Sequence, residues 1–252
     1  MPPLIELSVA NGEPLVWGRR TYVMGIINLT PDSFSGDGLG SDVSAAVEQA
    51  LRFEAEGADF IDVGAESTRP GHESVTAEEE LERLMPALEA MVSRVNLPVS
   101  VDTSKAVVAQ TAVAAGAAII NDQWGLKSEP EIAIVAAQTG AGLILMHNQK
   151  GRHYDDLIPD VGSSLSASAK AALDAGVPKG NIILDPGSGF GKTPDHNLEI
   201  LNRLREFTSL GYPLLLGTSR KSTIGMVLDL AVEERVEGTA ATVALAIAAG
   251  VD

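Results

Sequence analysis

Cysteine is missing altogether from the 252 residues, so neither a disulfide framework nor a thiolate metal site can exist. Aromatic residues make up only 4%, which leaves the core to Ala, Val, Leu and Ile, the composition of parallel strands buried on both faces. Basic residues are scarce too: 18 Lys and Arg against 34 Asp and Glu give a formal charge of −16. That balance argues against a nucleic-acid-binding surface, and any positive contact to an anionic substrate must be local. No apolar run approaches the roughly 20 residues that cross a bilayer. Met1 to Asn11 lacks the basic start and long apolar stretch of a signal peptide. The expectation is a cytoplasmic protein without nucleic-acid or membrane partners.

What is present is a repeated unit: a helical stretch, a Gly-containing turn, a short apolar run, then a polar residue. The runs 23–27, 60–61, 99–101 and 118–120 end at Asn28, Asp62, Asp102 and Asn121-Asp122. The runs 143–146, 182–184 and 214–216 end at His147, Asp185 and Gly217-Thr218-Ser219-Arg220. Between them lie Ala-, Glu- and Leu-rich helical patterns such as Asp42–Ala55, Ala77–Arg94 and Lys105–Ala115, and Gly57, Gly116, Gly140 and Gly176 stand where helices end. Strict alternation of strand and helix implies a parallel sheet. An open doubly wound sheet gathers its polar residues at one switch point, whereas here nearly every strand ends in one, as at a barrel rim. The fold class is therefore α/β, a TIM-type (β/α)8 barrel, with residues 1–252 forming one domain. Residues 1–20 read as a hairpin turning at Asn11-Gly12 and covering the barrel bottom. Gly250-Val251-Asp252 repeats the pattern of Gly57-Ala58-Asp59, which introduces a strand, so the eighth strand and its helix are expected to be missing from the sequence.

A single polar strand end is as well explained by capping of the following helix. Seven in succession point to a site. Paired Asp and Asn side chains suit a ligand with several N–H donors and ring nitrogens, such as a fused heterocycle. The loop Asn28–Gly38 carries one exposed Phe, Phe34, and reads as a lid. The loop Gly64–Gly71 places Arg69 between glycines, a plausible anion contact. Gly191-Lys192-Thr193 is not a Walker A ending, because Pro186 stands where that motif needs its first glycine. Glycines around Phe190 instead let backbone approach a ligand on which Phe190 stacks. Lys221 and Ser222 follow the seventh run, where barrels hold phosphates, and suit a phosphate oxygen or a ring carbonyl. A lone His at the end of an apolar run, as at His147, is a scaffold residue at least as often as a catalytic one.

Together these segments resemble the dihydropteroate synthases, the folate-pathway enzymes inhibited by sulfonamides. The matching stretches are NLTPDSFSGDG (28–38), IDVGAESTRPG (61–71), VSVDTSK (99–105), INDQWG (120–125), LMH (145–147), DPGSGFGK (185–192), SRKS (219–222) with Gly225, and RVEGTAA (235–241). The resemblance implies a transferase that condenses p-aminobenzoate with dihydropterin hydroxymethyl diphosphate and releases pyrophosphate. It implies that Asp102, Asn121 and Asp185 bind the pterin, with Lys221 on its carbonyl and Met146 and Phe190 as apolar walls. Asn28 would contact the Mg2+ that accompanies the diphosphate. Thr68 and Arg69 belong to the second loop, Ser222 lies near the aminobenzoate, and Phe34 and Asp37 belong to the first loop. Catalytic roles fall to Lys221, Asp102, Arg69 and Asp37, and the family precedent is a homodimer. The sequence departs from the family twice: it stops before the Arg and His of the eighth strand, and it reads Gly36-Asp37 where many members have Asp-Gly. A pterin-binding methyltransferase would share the Asp and Asn positions but not need the diphosphate loops, and a non-catalytic pterin-binding protein is the reading from another class.

Overall fold

The computed structural model describes residues 6–7, 9, 13–30, 42–66 and 74–252. Two short strands, β1 (Glu6–Leu7) and β2 (Leu15–Val16), pair antiparallel and precede β3 (Met24–Asn28). There follow α1 (Val43–Glu56), β4 (Phe60–Gly64), α2 (Ala77–Val92), β5 (Val99–Asp102), α3 (Ala106–Ala114) and β6 (Ile119–Asp122). Next come α4 (Glu131–Thr139), β7 (Gly142–Met146), α5 (Leu157–Asp174), β8 (Ile182–Asp185), α6 (Pro194–Asn202), α7 (Arg205–Thr208), α8 (Ser222–Leu228) and α9 (Val236–Ala249).

β3 to β8 form one parallel sheet in chain order, each strand beside the next. That unreversed order is the winding of a barrel; a doubly wound sheet would change direction part-way. The helix boundaries follow local chemistry. Asp42 accepts the Ala45 N–H at the start of α1, and Thr76 with Glu79 forms a capping box at the start of α2. Gly57 ends α1 with φ +95°, a conformation that a side chain would strain. The barrel core is aliphatic, as a chain poor in aromatics requires; Ile27, Ile61, Val101, Ile120, Leu143 and Leu184 are all buried. Leu7, Leu15 and Trp17 pack against Phe60, Ile119, Ile144 and Ile183, so the N-terminal hairpin plugs one end of the barrel.

Two sequence expectations are corrected. The run 60–61 does not end at Asp62: β4 continues to Gly64, and Asp62 stands inside a fully buried strand. The run 214–216 is not a regular strand; only Leu214 bridges Leu184. Pro213 has no N–H to extend the ladder, which is limited to Leu184 N–H to Pro213 O (2.9 Å) and Leu215 N–H to Leu184 O (2.9 Å). Among the described residues no eighth barrel strand follows α9, and Asp252 makes contacts at that position. Asp252 N–H donates to Leu214 O (3.1 Å), while Asp252 O accepts from Tyr22 N–H (3.2 Å), joining the seventh segment to the first.

Candidate active site

The polar residues gather at the C-terminal ends of the strands, but they divide into pairs that no reading of single positions distinguishes. Asp102 on β5 and Asn121 on β6 are register partners. Met146 on β7 and Asp185 on β8 are another such pair. Asn121 donates from Nδ2 to Asp62 Oδ2 at 3.1 Å, and Gln123 Nε2 donates to Asp102 Oδ2. Burial raises the pKa of Asp102 well above the usual carboxylate range, and the charges of Asp62, Glu80 and Asp122 raise it further. Burial pushes Asp62 up to about 6, against the hydrogen bonds of Ser100 and Asn121. Asp122, next to Asn121 in the chain, does something else. Its carboxylate accepts the N–H groups of Trp124 (2.8 Å) and Leu126 (2.5 Å), so it caps its own turn.

Beyond β8 the chain makes a tight turn at Gly187–Phe190. Asp185 Oδ1 accepts the Gly187 N–H at 2.7 Å, and Asn197 Oδ1 accepts the Gly189 N–H at 2.8 Å. Gly187 has φ +72°, and a Cβ there would lie 2.0 Å from His147 O, so only glycine fits. Lys221 Nζ donates to Ser188 O and stands 4.7 Å from the centroid of the Phe190 ring. Burial lowers Lys221 to about 8, opposed by the Asp185 charge. Burial likewise raises Asp185, opposed by Lys221. Just before Lys221, Arg220 adopts φ +49°, a strained value for a side-chain-bearing residue. Thr239 Oγ1 accepts its N–H (2.9 Å) and Arg235 Nη1 donates to its carbonyl (3.0 Å). This accounts for the RVEGTAA and Gly225 stretches of the sequence: Arg235 braces the SRKS turn and lies where a Gly225 side chain would stand.

A space of about 700 Å³ runs from the edge of β3 at Gly25 and Ile26, unpaired among the described residues, to this turn, lined among others by Asn28, Phe190, Lys221 and Ser222. Thus Asn28, Phe190, Lys221 and Ser222 share one cleft, while Asp102, Asn121, Met146 and Asp185 stand on successive strand ends. Phe34, Asp37, Thr68 and Arg69 lie outside the described residues. Lys105 of the VDTSK stretch is a brace: it pairs with the buried Glu80 at 2.6 Å and with Glu66 at the base of the second loop.

The description "pterin binding enzyme" belongs to the family whose sequence pattern matches residues 24–252. A dihydropteroate synthase of Bacillus subtilis (strain 168) is 52% identical over 249 residues, which is 98% of this chain and 87% of that protein. The chain belongs to the dihydropteroate synthase family of pterin-binding enzymes. A second family member, from Synechocystis, is 48% identical over 94% of the chain and 84% of its own length. The dihydropteroate synthase of Xanthomonas albilineans, solved with 4-aminobenzoic acid, superposes with a TM-score of 0.91 at 42% identity, covering 99% of this chain and 91% of that one. The Yersinia pestis enzyme, solved with a sulfonamide drug, gives 0.92 at 40% identity over 98% and 91% of the two chains. These likenesses establish the TIM barrel as the fold.

Two contributors to this dihydropteroate synthase site escaped the sequence reading. Asp62 was legible as a polar strand end but not as the partner of Asn121. Gln123 lies within the matching INDQWG stretch but was given no role. Asp62 supports a stability test. Its folded pKa of about 6 exceeds the ordinary carboxylate value of 3.8. The folded state therefore binds the extra proton, and wild-type stability falls as pH rises from about 4 to about 6. Asp62→Asn should remove this residue's share of that dependence, raising stability at pH 8 by up to about 3 kcal/mol with no gain near pH 3.5. Calorimetric unfolding at the two pH values checks this; an equal Tm change at both would refute it.

Proposed function

We propose that this site joins p-aminobenzoate to (7,8-dihydropterin-6-yl)methyl diphosphate, giving 7,8-dihydropteroate and pyrophosphate, and that it is a sulfonamide target. The observation that carries the reading is the placement of Lys221. Its ammonium lies 4.7 Å from the Phe190 ring centroid, feels the Asp185 charge and lines the cleft shared by Asn28 and Ser222. Asp102, Asn121 and Asp185 offer the acceptors and amide that a pterin edge requires, Lys221 faces its carbonyl, and Met146 and Phe190 supply apolar walls. Ser222, the first residue of α8, is assigned to the aminobenzoate side.

The bond that breaks is the C–O bond of the pterin methylene, its electron pair leaving with pyrophosphate. The bond that forms joins the same carbon to the aminobenzoate nitrogen, which loses a proton. A cation delocalised over the pterin needs little acid–base assistance, so a pre-formed, water-poor pocket with charge complementarity to the leaving group suffices. Asp37 and Arg69 are assigned to the leaving-group side, and Thr68 and Phe34 to the loops over the substrates. We assign Mg2+ to the diphosphate. Among the described residues no group of three acidic or His side chains could hold a metal. Asn28 provides an oxygen donor on the cleft wall, which fits an ion that takes most of its ligands from substrate phosphate and water. When bound, the ion neutralises charge on the departing diphosphate.

A homodimer and a cytoplasmic location complete the proposal. The first rests on the family precedent. A monomer mass in sedimentation would remove that part. In support of the second, the chain has no cysteine, and no helix among the described residues is long and apolar enough to cross a membrane.

The deciding assay supplies both substrates with Mg2+ and measures pyrophosphate. Release that depends on aminobenzoate, with dihydropteroate formed in equal amount, is the expected result. If pterin diphosphate binds but release is absent, the chain is a pterin-binding protein without this activity.

A further inference from the structure

Two buried polar side chains take no part in the chemistry above. Lys192 is 4% exposed and His147 is 3% exposed. They meet directly, Lys192 Nζ lying 2.9 Å from His147 Nδ1. The same ammonium donates to Gly187 O at 3.0 Å and Phe190 O at 2.9 Å, so its three N–H groups have three near partners. It has none left for a phosphate. Tyr154 adds a strut from the same side, donating from its hydroxyl to Gly191 O at 2.9 Å and packing against the His147 ring.

We infer that Lys192, held by His147, is a positioning residue: it fixes the Gly187–Phe190 turn and thereby the Phe190 ring and the carbonyl that receives Lys221. The reasoning runs along the turn. Its N–H groups at 187 and 189 are already committed to Asp185 and Asn197, and Phe190 N–H to Gly187 O (3.1 Å). Ser188 O belongs to Lys221. Of the remaining carbonyls, Gly187 O is shared between Phe190 N–H and Lys192, and Phe190 O accepts from Lys192. Without Lys192 both lose their charged donor, and the link from the turn to the strand end at His147 falls to Tyr154, through the neighbouring Gly191 O. His147 can serve only with Nδ1 unprotonated. Burial lowers it to about 3, with the charges of Lys192 and Lys127 adding to the effect. Burial also brings Lys192 down to about 7, opposed by Asp185 and assisted by Lys221 and Lys127.

The inference rests on the proposed reaction for its kinetic arm and has a second arm that does not. In the full-length protein, Lys192→Met keeps the stem and removes the donors. KM for the pterin diphosphate, which Phe190 walls and Lys221 contacts, should rise about tenfold, while KM for p-aminobenzoate, assigned to Ser222 on α8, changes less than about threefold. His147→Leu should reproduce this, whereas His147→Asn, whose Oδ1 can stand where Nδ1 stood, should stay within about threefold of wild type on both substrates. Amide hydrogen exchange at Gly189 and Phe190 should accelerate in Lys192→Met and His147→Leu but not in His147→Asn. If Lys192→Met does not fold, the two His147 variants decide alone. Unchanged KM, equal losses on both substrates, or identical behaviour of the two His147 variants would overturn the positioning role. A wild-type protein without turnover would instead sink the reaction reading, and the exchange arm would still judge the turn.

Discussion

Lys221→Ala is expected to lower kcat/KM for the pterin diphosphate at least about a thousandfold while leaving the far-UV spectrum unchanged. The magnitude follows from what the ammonium holds. It donates to Ser188 O, lies over Phe190 and offsets the Asp185 charge. A buried carboxyl deprived of its counter-charge typically costs about 3–5 kcal/mol, which alone is a factor of a few hundred to a few thousand. The same residue gives a pH signature. Burial has lowered its pKa to about 8, so the ammonium is present below that pH and lost above it. Pterin affinity in the wild type should therefore fall as pH rises through about 8, and Lys221→Ala should show no such limb. Equilibrium binding of the pterin diphosphate from pH 6.5 to 9.5 measures both effects. Undiminished binding by the variant removes Lys221 from the site.

Asp102→Ala should weaken pterin binding by two to three orders of magnitude, again without unfolding. The carboxylate stands between Gln123 and its register partner Asn121, and a heterocycle reading that pair would leave its own N–H groups unpaired in a dry pocket once the carboxylate is gone. The raised pKa of Asp102 adds a testable sign. A ligand that donates to the ionised carboxylate lowers that pKa, so binding near the apparent pKa releases protons. Titration calorimetry in buffers of different ionisation enthalpy should report proton release for the wild type and less for Asp102→Ala. Proton uptake, or equal release from both, would contradict the assignment.

The barrel was legible because parallel strands buried on both faces leave continuous apolar runs, each closed by a polar residue. Strands β3 and β5 to β8 lie where those runs predicted. The misses have local causes. Asp62 reads as a strand end because polar residues rarely stand mid-strand; burial beside Ser100 and Asn121 is a tertiary fact. Leu214–Leu216 has the composition of a strand, yet Pro213 and a single bridge limit it. Asn121 and Asp122 were indistinguishable as a pair of acceptors, since alternation sends one inward and leaves the other to its own turn. The glycines of the 187–191 stretch were legible as close approach, but the object approached, the carbonyl of His147, lies 40 residues earlier. His147 itself fits the scaffold role: its acceptor nitrogen is occupied by Lys192.

The seam at Asp252 also has a kinetic meaning. Neighbouring strands in the sheet pair residues no more than 39 positions apart, such as Leu143 with Ile182, so each ladder can close soon after its unit is made. The contact between Gly18 N–H and the Asp252 carboxylate spans 234 positions. Loop closure over that distance costs roughly 1–2 kcal/mol more than closure of a neighbouring pair. The strand ladders of β3 to β8 should therefore form first, and the contact between Gly18 and Asp252 should close after them.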